Sequence, residues 1–267
     1  MTTFAPAQSV RPRSGKPTVR VRTPLLGLLP LAALLIVWQS LGRQSSPYFP
    51  RPSSWVDAIW HLARNGTLLP AVQDTLLTVL ALWAIAVLLG VALGLALGLS
   101  AKTVRALQPT LEFIRMVPPP AIIPAAVLLL GADSSTTVVV VAVSAAWPIL
   151  LNTTAGTEQI SPVLTDVCQS LRLSRIATIR KMLFPAVLPN ILVGVRVAAP
   201  IAVVVALVVE MITNLGGLGS LLISAQRSFD AAQAYGLLCI VGLLGLTINA
   251  LTVLIDRRLM TKRGVIR

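Results

Sequence analysis

Charge is scarce in this sequence: Asp, Glu, Lys and Arg make up 12% of its 267 residues, whereas hydrophobic residues make up 55%. So few polar side chains cannot cover a soluble globule of this length. The apolar residues are grouped in blocks of about 20, long enough for a helix to cross ~30 Å of hydrocarbon. The composition therefore excludes an ordinary soluble protein and predicts an all-α integral membrane protein.

The sequence also lacks the residues that several chemistries need. Cys168 and Cys239 are far apart and form no CxxC pair, so neither a disulfide nor a metal site is indicated. The one histidine, His61, stands outside any metal-binding or nucleophile motif. No GxxxxGK[ST] loop occurs, so the chain has no P-loop with which to hydrolyse ATP. We expect a protein that is not an enzyme and binds no cofactor or metal itself.

Six apolar blocks are candidate transmembrane helices. They fall within a predicted membrane domain of residues 24–256, at 24–42, 75–100, 109–131, 136–154, 191–212 and 235–255. The first block lacks the cleavage site of a signal peptide, which favours a membrane helix. The polar, basic residues 1–23 predict a disordered tail, and residues 257–267 predict a second basic tail.

The distribution of Lys and Arg predicts the orientation. Sixteen of the 22 basic residues lie in the two tails and in the loops on one side of the six spans. The other side carries four, which are Arg43, Arg51, Arg64 and Arg227. The positive-inside rule then places both termini in the cytoplasm, with the chain in a cell inner membrane. The net charge of +13 does not indicate nucleic acid, because no basic patch with aromatic residues accompanies it.

The predicted inner loop of residues 155–190 is far longer than a connection needs. Ser161 and Pro162 are typical of a helix start, an N-cap followed by a proline at the first helical position. This pattern predicts a short helix to about residue 171, and Ser174 can cap a second one. Pro185 and Pro189 are expected to end the loop and set the angle of the fifth span.

Residues 166–185, DVCQSLRLSRIATIRKMLFP, are similar to the EAA loop of binding-protein-dependent ABC permeases. Asp166, Val167 and Cys168 stand at its Glu-Ala-Ala positions, Arg172 at its glycine and Pro185 at its proline. A glycine there can adopt the left-handed conformation that ends the first helix, whereas Arg172 adopts it at a steric cost. Asp166 keeps the carboxylate of the family glutamate on a shorter side chain.

Other segments strengthen the resemblance to one branch, the permeases of the nitrate, sulfonate and taurine type. They are the FP-x-P-S pattern at 49–53, FIRMVPPPAIIPAAVLLLG at 113–131, WPILLNTTAG at 147–156, LPNILVGVRVA at 188–198 and VVEMITNLGGLGSLLISAQRSFD at 208–230. The resemblance implies six transmembrane helices with the fold of a type I ABC importer permease and cytoplasmic coupling helices. It also implies a translocation pathway for a small solute, an anion such as sulfonate, taurine or nitrate.

The resemblance implies partners as well. They are cytoplasmic ATPase subunits carrying ATP and Mg, an extracytoplasmic substrate-binding protein, and a second permease copy in a homodimer. The side chains it assigns to ATPase coupling are Leu164, Asp166, Val167, Cys168, Leu171, Arg172, Ser174 and Pro185.

Four residues are candidates for the translocation pathway or its gate: Glu112, Arg115, Pro118 and Glu210. Glu112 and Arg115 lie three apart and form either a structural ion pair or a gate. Pro118 begins a proline run that breaks the third span, which is tolerated only beside protein or a water-lined cavity. Glu210 is an acid inside the fifth span, with either a pathway role or a buried structural one.

Two groups of glycines are also informative. Gly90, Gly94 and Gly98 lie four apart on one face of the second span and predict close helix packing. Gly216, Gly217 and Gly219 follow the fifth span and favour a tight outer turn or a re-entrant segment, with a plain loop as an equal alternative.

An alternative function is a self-sufficient secondary transporter or channel. It would need titratable or ion-coordinating residues near the middle of the membrane, for which Glu210 is the main candidate.

Cysteine labelling tests the predicted orientation. Single cysteines at positions 1, 172 and 267, in a chain whose Cys168 and Cys239 are serine, should react only with reagents that reach the cytoplasm. The reason is the excess of Lys and Arg around these positions. If a cysteine at position 172 reacts with an impermeant maleimide in intact cells, the six-span topology is wrong.

Overall fold

The computed structural model describes residues 27, 29–43 and 46–262. All regular secondary structure in these residues is helical, which confirms the predicted fold class. The predicted tail 1–23 lies outside the described residues, as do residues 263–267. The helices are α1 (Leu29–Leu41), α2 (Pro52–Arg64), α3 (Leu68–Gly98), α4 (Ala101–Met116), α5 (Pro119–Leu130), α6 (Ser134–Glu158), α7 (Pro162–Ser170), α8 (Arg175–Thr178), α9 (Phe184–Thr213), α10 (Gly217–Arg227) and α11 (Ala231–Lys262).

Four helices in the described residues are long and apolar enough to cross a membrane: α3, α6, α11, and α9 together with the turns before it. They correspond to the second, fourth, sixth and fifth predicted spans. The pair α4 and α5 makes a fifth span if it is counted as one bent helix. At the position of the first predicted span, α1 has 13 residues and belongs to a unit separate from the one that starts at Gly42. The described chain therefore has four or five such spans where the sequence predicts six.

The third predicted span, 109–131, consists of parts of two helices separated by a break. α4 begins earlier and ends at Met116, and α5 starts at Pro119 and is bent by 90° from it. Pro118, Pro119 and Pro120 have no backbone N–H, so three successive donors of a helical ladder are missing. The break predicted at Pro118 is confirmed, and it turns the chain by a right angle.

The prediction that Pro185 and Pro189 end the loop before the fifth span is wrong. α8 continues through a π-helical turn, Ile179–Leu183, into α9, which gives one helix of 38 residues, Ile176–Thr213. The N–H of Phe184 bonds to the carbonyl five residues earlier, at the start of this turn. The ladder thus changes spacing just before Pro185, which has no N–H to donate and lies in the first turn of α9.

The predicted glycine face of α3 is confirmed, and it packs against α6. A methyl group added at Gly90 would lie 2.7 Å from Cβ of Ile149, and one at Gly94 would lie 2.6 Å from Cβ of Thr153. Gly98 faces α6 in the same way. Small residues let two helix backbones approach closely in lipid, where burying apolar side chains adds little attraction.

α9 completes the core by packing against both α3 and α6. A methyl group at Gly194 would lie 2.8 Å from the Cα of Ile149 in α6. The indole N–H of Trp83 in α3 donates to the carbonyl of Val195 at 3.3 Å. These three helices therefore form the scaffold on which the candidate sites are placed.

Two shorter helices pack around this scaffold. α10 turns back after α9 and packs against α3, α9 and α11, burying Leu218, Leu222 and Ala225. α2 packs against α11, where the rings of Trp55 and Tyr235 have centroids 5.2 Å apart.

Substitution of Gly94 by alanine tests the close approach of α3 and α6. The new methyl group would also lie 2.9 Å from the carbonyl oxygen of Leu150, so one helix must move. We expect a loss of roughly 1–3 kcal/mol of stability, typical of overpacking. Gly242→Ala in α11 is the matched control, because a methyl group there meets nothing within 4 Å. The measurement is the melting temperature of the purified protein in detergent, and equal values for the two variants would contradict the packing.

Candidate functional site

The segment between α6 and α9 forms the two-helix element that the sequence predicts. α7 starts at Pro162 and ends at Ser170, close to the predicted bounds. The next helix starts after Ser174, whose hydroxyl oxygen accepts a hydrogen bond from the Ala177 N–H at 3.3 Å. We call residues 161–185 the docking loop.

Arg172 makes the turn between the two helices of the docking loop in the left-handed conformation, with φ at 48°. The N–H of Leu173 bonds to the carbonyl of Cys168, five residues earlier, at 3.1 Å. This is the 6→1 hydrogen bond of a Schellman motif. A residue with a Cβ adopts this conformation at a cost of roughly 1–2 kcal/mol. Arg172 thus adopts the left-handed conformation that a glycine would favour at this position, and its steric cost stays a prediction.

Two apolar side chains of the docking loop are exposed, one near the start of α7 and one just after its end. Leu171 is 64% exposed, and Val163 in the first turn of α7 is 67% exposed. Asp166, Arg172 and Ser174 are exposed on the same loop. An exposed apolar surface with polar neighbours is typical of a site that contacts another protein.

The other predicted coupling residues contribute differently. Cys168 is 7% exposed and therefore packs inside the loop. Leu164 and Pro185 are half-buried. Val167 belongs to α7, and its side chain lies outside the described ones.

Glu210 lies in the last turn of α9 and is 7% exposed. Its Oε2 accepts hydrogen bonds from the Thr75 hydroxyl and from the Gly219 N–H, each at 2.9 Å. The Thr75 hydroxyl oxygen also accepts from the Leu218 N–H at 2.8 Å. We call these four residues the Glu210 cluster, and it joins α3, α9 and the start of α10 through buried hydrogen bonds.

The glycines after α9 make this cluster possible. Gly216 and Gly217 have φ values of 111° and 81°, which favour glycine. A methyl group at Gly217 would lie 2.5 Å from the carboxyl carbon of Glu210. The segment is therefore a tight turn followed by a helix, α10, that packs back against α3 and α9.

A cavity of about 590 Å³ lies at the bend between α4 and α5, where α6 and α9 complete its wall. Most of its lining is apolar, and Arg115 is the charged residue among the described residues that line it. Trp147, Ser144 and Asn152 of α6 are the polar groups in its wall. We call this space the elbow cavity. Arg115 therefore lies beside the break between α4 and α5, which begins at Pro118.

Glu112 and Arg115 do not form the expected structural ion pair, although both lie in the described part of the chain. The Glu112 carboxylate accepts a hydrogen bond from the Gln108 amide at 3.1 Å, one helical turn earlier. The ion pair in the described residues joins Arg196 and Asp256 at 2.7 Å. Glu112 also lies outside the lining of the elbow cavity, so the two residues have separate surroundings.

Glu210 lines a second, smaller cavity of about 380 Å³ with Asp74, Thr78 and Thr213. Its hydrogen bonds are those expected of the buried structural role. Because Glu210 also lines this cavity, a role of Glu210 in the translocation pathway stays a prediction.

Thr75 and Trp147 were missed from the sequence. Threonine is common in apolar helices, and nothing in the sequence indicates that Thr75 meets a backbone N–H 143 residues further along. Trp147 lies in the segment WPILLNTTAG, where an indole in an apolar helix gives no sign of facing a cavity.

Comparison with known proteins places the chain among membrane transport proteins. The family model described as binding-protein-dependent transport system inner membrane component matches residues 86–261. The chain is 28% identical to the nitrate import permease protein NrtB of Leptolyngbya laminosa over 67% of its own length. The match spans 64% of that protein, slightly less than two thirds of its length. It is 27% identical to an aliphatic sulfonates transport permease protein, SsuC, of Bacillus subtilis over 89% of this chain and 87% of that one.

A solved structure shares the fold. The MetNI methionine ABC transporter, in inward-facing conformations, contains a chain that superposes with a TM-score of 0.61 at 20% identity. The match covers 77% of this chain and 99% of that chain.

Substitution of Thr75 by valine tests the Glu210 cluster. Valine keeps the shape of threonine but leaves the Leu218 N–H without its acceptor and removes one of the two donors to Oε2 of Glu210. An unsatisfied buried N–H costs about 1–3 kcal/mol, so we expect a clear fall in melting temperature. Thr75→Ser should restore most of the stability because it keeps the hydroxyl.

Thr247→Val is the matched control for this substitution, since the exposed Thr247 hydroxyl bonds only to its own helix, at Leu243. Thr75→Val and Thr247→Val with the same melting temperature would show that the cluster contributes nothing to stability.

Proposed function

This chain belongs to the family of binding-protein-dependent transport system inner membrane components, and on that premise we propose the partners and the solute with which it works. It is a permease component of an ABC importer, a multi-pass inner-membrane protein with the type I importer fold. We infer that two copies form the pathway for a small solute, delivered by a substrate-binding protein. Separate ATPase subunits, which bind ATP and Mg, drive its transport.

The docking loop carries this proposal. It presents Leu171 and Val163 as exposed apolar side chains beside the exposed carboxylate of Asp166. Apolar groups surrounded by polar ones are what a protein interface needs at its centre and rim. We propose that α7 enters a groove on an ATPase subunit with Leu171 at the buried centre and Asp166 at the edge.

The orientation follows from the same proposal. An ATPase that hydrolyses cytoplasmic ATP must meet the docking loop in the cytoplasm. The excess of Lys and Arg in the loops on that side supports this placement, with both termini in the cytoplasm.

The solute proposed is a small anion. The relatives that match this chain include proteins named as nitrate and sulfonate permeases, which supports an anion such as nitrate, a sulfonate or taurine. In such a system the substrate-binding protein supplies most of the recognition.

The alternative of an ion-driven secondary transporter has less support. Glu210, its main candidate for ion coupling, lies in the last turn of α9, and one of its carboxylate oxygens is already engaged by Thr75 and Gly219.

Substitution of Leu171 by aspartate tests the docking proposal. A carboxylate moved into an apolar contact loses its hydration without gaining a partner. We expect Leu171→Asp to insert and dimerise normally yet to co-purify weakly with the ATPase and to show no uptake. The measurements are ATPase co-purification and substrate-stimulated ATP hydrolysis in reconstituted membranes.

Two further variants make this experiment decisive. Leu171→Asn, which is polar but uncharged, should have an intermediate effect, and replacement of Arg263 should do much less. Normal coupling in Leu171→Asp would refute the docking surface. Normal coupling after deletion of residues 162–184 would refute the proposal that this segment couples the permease to an ATPase.

A further inference from the structure

We propose that α2 lies at the interface between lipid and water, with Val56, Trp60 and Ala63 inserted between phospholipid headgroups. The partner of this surface is thus one leaflet of the membrane itself. The order of the side chains around α2, the level at which α2 meets α11 and the pairing of Trp60 with Arg64 support this placement. It depends neither on the solute that the permease carries nor on what drives its transport.

One face of α2 packs against the rest of the protein. Trp55 on this face is 8% exposed, and Ile59 and Leu62 are half-buried against the hydrophobic core. A methyl group added at Gly236 of α11 would lie 2.6 Å from a side-chain carbon of Ile59 and 2.9 Å from the carbonyl oxygen of Trp55. This glycine therefore lets α2 approach α11 closely, and it fixes the height of α2 along that helix.

The exposed surface of α2 is divided lengthwise into an apolar strip and a polar strip. At about 100° per residue, the exposed side chains that fall within about 60° of one another beside the packed face are all apolar, namely Val56, Trp60 and Ala63. The next strip, roughly as wide, carries exposed polar side chains, namely Asp57, His61 and Arg64.

The order around α2 is therefore protein, apolar strip, polar strip. Val56 is 69% exposed and Trp60 is 59% exposed, so the protein itself leaves the apolar strip uncovered. A helix that lies in the plane of a membrane surface needs this order, with one strip toward the acyl chains and the next toward water. A deeper position is unfavourable, because Asp57 and Arg64 would then carry exposed charge into hydrocarbon.

α2 meets α11 at the edge of the hydrocarbon. Charged side chains are costly inside a bilayer, and α11 carries Asp256, Arg257 and Arg258 near its last turns. A helix crosses the hydrocarbon with about 20 residues, so counting back from Asp256 puts the other boundary at Gly236. Gly236 is the residue against which α2 packs, so the length of α11 independently places α2 at the boundary.

Trp60 and Arg64 match the two chemistries of that boundary. The guanidinium carbon of Arg64 lies 5.1 Å from the centre of the Trp60 ring. Indole rings are enriched at membrane interfaces, where the ring contacts lipid and the N–H reaches polar groups. An arginine can keep its apolar stem in the same layer while its guanidinium bonds to a lipid phosphate. The pair therefore fits a phospholipid headgroup and the first part of its acyl chains.

Quenching of Trp60 by brominated lipids tests the placement. The purified full-length permease is placed in nanodiscs of phosphatidylcholine that carries bromine either near the carbonyl end or near the methyl end of an acyl chain. Subtracting the signal of Trp60→Phe isolates Trp60 from the other four tryptophans. We expect strong quenching by the shallow bromine and weak quenching by the deep one, as for an indole about 5–10 Å into the boundary layer.

Each other result in the parent chain would overturn the proposal. Stronger quenching by the deep bromine would mean that α2 enters the hydrocarbon. Quenching by aqueous iodide without quenching by either lipid would mean that the apolar strip faces water, where it could contact a soluble protein. Protection of Trp60 from both lipids and from iodide would mean that a second copy of the chain covers it.

Two variants with the same added charge then test the strips. Val56→Asp puts a carboxylate into the apolar strip and should weaken quenching of Trp60 by the shallow bromine. His61→Asp is the matched control, because it puts the same group into the polar strip and should leave the quenching unchanged. Each variant is compared with its own Trp60→Phe derivative. Equal quenching in the two folded variants would contradict the division into strips, and the parent chain alone decides the placement if Val56→Asp fails to fold.

Discussion

Helices in a bilayer gain little by burying leucine against leucine, because lipid chains are as apolar as the side chains they replace. The structure therefore depends on how closely α3, α6 and α9 can approach one another. Gly90 and Gly94 of α3 and Gly194 of α9 remove the side chains that would hold these helices apart from α6. Dispersion forces between backbones and a few directed hydrogen bonds can then stabilise this three-helix scaffold. The docking loop joins α6 to α9 of the scaffold, and both cavities are lined by its helices.

The same close packing makes a buried carboxylate tolerable. Glu210 is removed from water, and a charge or an acid in that position needs hydrogen bonds in return. Thr75 and Gly219 supply them because α3 and the start of α10 lie against the end of α9. The carboxylate therefore depends on the packing of three elements, and those elements are joined by it.

Sequence reasoning was accurate wherever a single helix determined the outcome. The long apolar helices, the glycine face, the bounds of α7 and the strained turn at Arg172 follow from local periodicity and backbone preference. It was less accurate where two features compensate for one another. Pro185 looks like a helix breaker, yet the π-helical turn before it changes the hydrogen-bond spacing and the helix continues.

The candidate sites show the same limit for side chains. The spacing of Glu112 and Arg115 correctly indicated that they share a helix. Glu112, however, accepts a hydrogen bond from Gln108, whereas Arg115 lines the elbow cavity. The partners of Glu210 are brought from helices far apart in sequence, so local pattern has no information about them.

The continuous helix Ile176–Thr213 also has a mechanical consequence. Its 38 residues form a rod ~57 Å long, at 1.5 Å per residue, that begins in the docking loop and ends at the Glu210 cluster. One end of this helix is held to α3 and α10 by the hydrogen bonds of Glu210, and its middle is packed against α6 at Gly194. The π-helical turn, Ile179–Leu183, lies near the other end, in the docking loop. A single continuous helix therefore connects the docking loop to the Glu210 cluster, with no loop between them.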